Sequence, residues 1–93
     1  MTRVEKIKAR INRALAPERL EIIDDSASHA GHTGVREQGG GHFFATIVSG
    51  SFEGKSLIQR HQLVYQALGD LMQSDIHAIS IQAYTPNEID KGK

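Results

Sequence analysis

The sequence predicts a two-layer α+β domain with its elements in the order helix, strand, strand, helix, strand. Three observations carry that prediction. Apolar residues recur at helical spacing near the N-terminus and again after residue 56. Three short stretches read as strands, at 20–24, 42–49 and 75–84. Gly, Pro, Asp and Ser punctuate the gaps between them. The first two strands can pair as an antiparallel hairpin. The third returns after a helix, which permits a parallel crossover. The helices then cover one face of a three-stranded mixed sheet.

Each element has its own signal. Thr2 and Glu5 form a T-x-x-E capping box, which satisfies free backbone donors at a helix start. Val4, Ile7, Ile11 and Leu15 follow as one apolar stripe, with Arg3, Lys6, Lys8, Arg10 and Arg13 on the remaining surface. Pro17 stops this helix, because the residue before a proline avoids the helical region. Leu20–Asp24 is the first strand. Residues 25–41 are rich in Ser, Gly, His and Ala, show no periodicity and read as a long flexible loop.

His42–Ser49 is the second strand, with Phe43, Ala45 and Ile47 toward the core and Phe44, Thr46 and Val48 away from it. A turn spans Gly50–Lys55. The second helix runs from about Ser56 to Gln73, with Leu57, His61, Val64, Leu68 and Leu71 as its stripe. The third strand, Asp75–Tyr84, turns Ile79, Ile81 and Ala83 inward. Pro86 ends it, and residues 86–93 are expected to fray. The whole, residues 1–93, is one domain without internal repeats.

Composition narrows the function. With 39% hydrophobic and 24% charged residues the chain is globular rather than disordered. A formal net charge of +0 supplies no global field for nucleic acid or an anionic membrane, although a local patch could still bind DNA. There is no cysteine, which excludes disulfides, thiolate nucleophiles and thiolate ligands from this chain. The polar N-terminus lacks the apolar core of a signal peptide, and no apolar run approaches the ~20 residues of a membrane span. The expectation is a cytoplasmic protein that does not enter membranes.

Histidine is left to carry any transition-metal chemistry, with carboxylates as the other option. Of five histidines, His29, His32 and His42 lie in or beside the loop. His29 and His32 are spaced so that a loop could fold both around one metal ion, iron, zinc, copper or nickel, or they are solvated loop residues. His61 sits mid-stripe on the second helix, either as a packed histidine with a satisfied ring N–H or as a ligand or acid/base at a helix end. Lys55 and Arg60 at that helix start, and Lys6, could meet phosphates. Gly31-His32-Thr33-Gly34 has the GxxG form that clamps nucleic-acid backbone in KH domains, but there it joins two helices and here it lies between strands. No nucleophile elbow, Walker loop or H-E-x-x-H is present, so no catalysis is assigned.

Several segments resemble the BolA family. They are Asp24-Asp25-Ser26 before a His-rich Gly loop, His42-Phe43 opening a strand that ends Ile47-Val48-Ser49, and Phe52-Glu53-Gly54 followed by Gln59-Arg60-His61-Gln62-Leu63-Val64. Ile76-His77-Ala78-Ile79-Ser80-Ile81 followed by Thr85-Pro86-Asn87-Glu88 is similar to the family's closing segment. The likeness covers about Val4 to Glu88, and Arg-His-x-x-Val after the F-x-G turn is its most specific part.

This resemblance implies a class II KH-like fold and a monothiol glutaredoxin as partner, the pair being apo or bridged by a two-iron two-sulfur cluster. It implies that His61, as the Arg-His histidine, and one loop residue, His29 or His32, ligate the cluster, with glutathione and the glutaredoxin thiolate on the other side. Lacking cysteine, the chain looks like the branch whose loop ligand is His, and His42 takes either a structural role or one of supporting the ligands. Two imidazoles cannot complete the coordination of two irons, so the isolated chain is expected to hold no cluster tightly and to be a monomer or weak homodimer. Imidazole in place of thiolate raises a cluster's potential and can make it more labile, and lability suits trafficking or sensing. The rival reading is a DNA-binding regulator of stress response and cell shape, as some bacterial relatives are described.

Overall fold

The computed structural model describes residues 2–25 and 41–91. The first helix, α1 (Arg3–Leu15), starts at the predicted capping box: Thr2 Oγ1 accepts from Glu5 N at 3.1 Å, and Glu5 Oε1 accepts from Thr2 N at 2.9 Å. It ends at Ala16, whose φ of 44° is left-handed and whose N–H returns to Asn12 O. Pro17 bars Ala16 from continuing the right-handed helix. Strand β1 (Arg19–Asp24) pairs antiparallel with β2 (Gly41–Val48), and β2 pairs parallel with β3 (Ile76–Tyr84), giving a mixed sheet in the order β1-β2-β3.

The core lies between the helices and one face of this sheet. The strands contribute Ile22, Phe43, Ala45, Ile47 and Ala83, with Leu20, Ile79 and Ile81 partly covered. The helices contribute Ile7, Ile11, Leu15, Val64, Leu68 and Leu71. Phe52, on a 3₁₀ turn over Gly50–Phe52, joins the same cluster. On the opposite sheet face Ile23 and Phe44 are exposed. Val48 belongs to that face by alternation yet is buried, between its register neighbours Arg19 and Tyr84.

The region after residue 56 departs from the predicted single helix. A first helix, α2 (Leu57–Leu68), stops at Gly69, and a short α3 (Leu71–Ser74) follows. Gly69 takes φ 54°, ψ −126°, which an L side chain resists, while Arg10 donates to the freed Leu68 carbonyl at 2.9 Å and pairs with Asp70 Oδ1 at 2.9 Å. The buried face of α2 is Arg60, Val64 and Leu68, so Leu57, predicted inside, is 67% exposed. The tail predicted to fray forms α4 (Pro86–Lys91) instead. Thr85 Oγ1 accepts from Glu88 N at 3.1 Å and Glu88 Oε1 accepts from Thr85 N at 2.9 Å. Pro86 is thus the first residue of a helix rather than the stop after a strand.

Candidate functional site

The two ends of segment 26–40 meet at one edge of the structure, the N-terminal end of β3. Asp25 N donates to His42 O at 2.7 Å, and Gly41 N donates to Asp75 O at 3.0 Å. Asp75 caps α3, its own N–H returning to Leu71 O. Its carboxylate accepts from Ser74 Oγ at 2.7 Å and from Lys6 Nζ at 3.1 Å. The Ser74 hydroxyl first, and then Lys6, hold the Asp75 carboxyl below its ordinary range.

The sheet is irregular here. Gly41 pairs with Ile76 and His42 with Ala78, so His77 is passed over by the register. Such a bulge frees one residue from the ladder, and bulges concentrate at sheet edges and functional sites. His77 is exposed. His42 lies beside it in the pairing, with its ring 5.5 Å from that of Phe44. His29 and His32 lie outside the described residues. Among the described residues no three His, Cys, Asp or Glu side chains are grouped to hold a metal ion.

His61 stands elsewhere. It is half-buried in the first half of α2, whose start is fixed by a second capping box between Ser56 and Gln59. Its neighbour Arg60 is 7% exposed and is tied to the far end of β3. The Arg60 guanidinium donates to Ala83 O at 3.0 Å, to Lys55 O at 3.1 Å, and to both Glu88 oxygens at 2.8 Å, over the Phe52 ring. The Arg60 hydrogen bonds first, and then the one from Thr85 N, pull the Glu88 carboxyl down to about 2. Lys55, Leu57, Arg60, Ala83, Tyr84 and Glu88 line a shallow groove at this end.

Between Ile76 and Ala83 the strand rises roughly 20 Å. The fold therefore does not bring His61 to the edge where segment 26–40 leaves and returns. His77, which the sequence reading passed over, is at that edge. Its local signal was slight, a polar residue at the very start of a strand in Asp75-Ile76-His77, and the bulge that frees it is a relation between two strands. Of the three cations read as phosphate contacts, Arg60 is buried on Glu88 and Lys6 is paired with Asp75. Lys55 remains exposed at the start of α2.

The chain matches the family model described as BolA-like protein over residues 11–88. It is 44% identical over 88 residues to SufE-like protein 1, chloroplastic/mitochondrial, of Arabidopsis thaliana, covering 90% of this chain and 24% of that protein. It is 30% identical over 84 residues to the DNA-binding transcriptional regulator BolA of Escherichia coli, covering 90% of this chain and 76% of that protein. Among solved structures, the BolA domain of SufE1 from Arabidopsis thaliana superposes with a TM-score of 0.79 at 43% identity, covering 95% of this chain and 96% of that domain. The chain thus spans about a quarter of the plant protein, within which its counterpart is one domain. Among the described residues no helix is long and apolar enough to cross a membrane.

Proposed function

This chain belongs to the BolA-like protein family, and from that premise we propose that it is an adaptor that binds a monothiol glutaredoxin and co-ligates a two-iron two-sulfur cluster bridging the two. The observation that carries the reading is the edge at the start of β3, where the bulged His77 stands beside both anchors of the segment that contains His29 and His32. Imidazole suits iron, and a chain without thiols has no better donor to offer. Two imidazoles from one chain cannot complete four-coordination around two irons, so the donors fit a cluster shared with a partner.

The geometry favours His77 over His61 as the ligand from the folded part of the chain. A loop histidine that meets His77 closes a short loop back onto its own anchors. One that meets His61 must also span the length of the sheet, at a larger entropic cost. The second ligand is His29 or His32, and His42 packs beside the site against Phe44. The cluster, when bound, would supply electron-transfer and sulfide chemistry. This chain's part is to orient an imidazole and to leave coordination incomplete without the partner.

The test is a titration of glutathione-bound glutaredoxin cluster with this protein under anaerobic conditions, followed by visible absorption and circular dichroism. Wild type is expected to change the spectrum and saturate at one-to-one. His77→Ala is expected to abolish that change with the fold intact, and His61→Ala to leave it. An unchanged spectrum with wild type sinks the cluster reading, and loss with His61→Ala alone returns the ligand to α2.

The DNA-binding reading rests on the Escherichia coli relative, a DNA-binding transcriptional regulator. In this chain a net charge of +0 and the internal pairing of Arg60 and Lys6 weaken it.

A further inference from the structure

We propose that Asp75 is a positioning residue for His77, an inference that rests on His77 being a cluster ligand. A bulged residue has no ladder partner, so the sheet does not fix where its side chain stands. Its flanks must do so. On one side Ile76 is locked into the core at 4% exposure. On the other, Asp75 makes four hydrogen bonds that join α3, β2 and α1 within one residue. Its N–H closes α3 on Leu71 O, its carbonyl receives Gly41 N from the first residue of β2, and its carboxylate is divided between Ser74 and Lys6.

The Lys6 bond is the informative one. It reaches 69 positions along the chain to bring α1 to the strand end, and the Asp75 side chain it meets is only 15% exposed. A strand start needs none of this. A neutral turn residue would cap α3 equally well and avoid desolvating a carboxylate. What the carboxylate adds is a rigid junction two residues before His77, at the point where β2 begins. A metal ligand must be held to within about 0.5 Å by its supports, and outer residues that do so cost about 10–100-fold in affinity when removed.

The experiment uses the full chain in its cluster-bridged complex with glutaredoxin. The variants are Asp75→Asn, which keeps shape and removes charge, Lys6→Met, which leaves Asp75 in place, and His77→Ala. Two quantities are read: the nitrogen hyperfine coupling of the coordinated imidazole in the reduced cluster, and the lifetime of the bridged cluster. Far-UV circular dichroism and the urea midpoint monitor the fold. His77→Ala is expected to lose the coupling. Asp75→Asn is expected to shift the coupling and shorten the lifetime about tenfold with the fold unchanged. Lys6→Met should act in the same direction, and it keeps the test intact should Asp75→Asn unfold. Wild-type coupling and lifetime in both Asp75→Asn and Lys6→Met, with His77→Ala defective, overturn the positioning role and leave the ligand assignment standing. Wild-type coupling in His77→Ala overturns the ligand assignment and the positioning role together.

Discussion

A guanidinium leaves water only when its donors find acceptors, and Arg60 finds them in Lys55 O, Ala83 O and both oxygens of Glu88. The bidentate pair is directional, so it fixes α2 against the end of β3 as well as satisfying charge. Glu88 gains most visibly, its carboxyl falling from the usual 4.5 to about 2. A carboxyl lowered on folding stabilises above its unfolded value and loses that contribution as pH falls through its folded value. Wild type should therefore exceed Glu88→Gln in stability by a constant margin above about pH 5 that shrinks between 4.5 and about 2. Urea midpoints measured across that range check it, and a margin independent of pH means the tie is not electrostatic. The burial of Arg60 was hard to see from sequence because a charged residue beside a turn is ordinarily solvated. Its partner lay 28 positions away, in a tail with no visible reason to fold back. Only the i, i+4, i+8 spacing of Arg60, Val64 and Leu68 hinted that its face was the buried one.

At the level of elements, what was legible followed from strong local signals. The capping box and stripe of α1 and the alternation of β2 each have one physical interpretation, and the structure adopts it except at Val48, which is buried on the outer face. The end of α2 required a competition to be judged. The apolar pattern runs on to Leu71, but Gly69 takes a conformation that breaks the helix, and Arg10 arrives from α1 to accept the role of cap. An added Cβ at Gly69 would lie 3.3 Å from Arg10 Nη1. Gly69→Ala should thus destabilise by about 1–3 kcal/mol, chiefly through backbone strain, as read from the shift in denaturation midpoint. An unchanged midpoint would show that the junction can relax into one continuous helix. α4 was missed for a different reason: Thr85-Pro86-Asn87-Glu88 contains both a strand stop and a capping box, and the second prevails because Glu88 is also tied to Arg60. His77 escaped notice since a bulge is a relation between two strands, and no single stretch of sequence displays it.

For the molecule as a whole, a core this small leaves little reserve. Phe43 is fully buried in the central strand, and Phe43→Ala should cost about 3–5 kcal/mol of a total on the order of 5–15. A urea melt should show the midpoint collapse toward zero denaturant. A small shift would place the main support outside the sheet–helix interface. The fold keeps its two polar constructions at opposite ends of β3, the Arg60–Glu88 clasp beside Ala83 and the histidine edge beside Ile76. Sites that far apart share no partners, so changes at them add without interference. Substitutions at the exposed His77 therefore leave the Arg60–Glu88 clasp untouched, and the donor that this end of the sheet presents can vary without loosening the tie that holds α2 to the other end of β3.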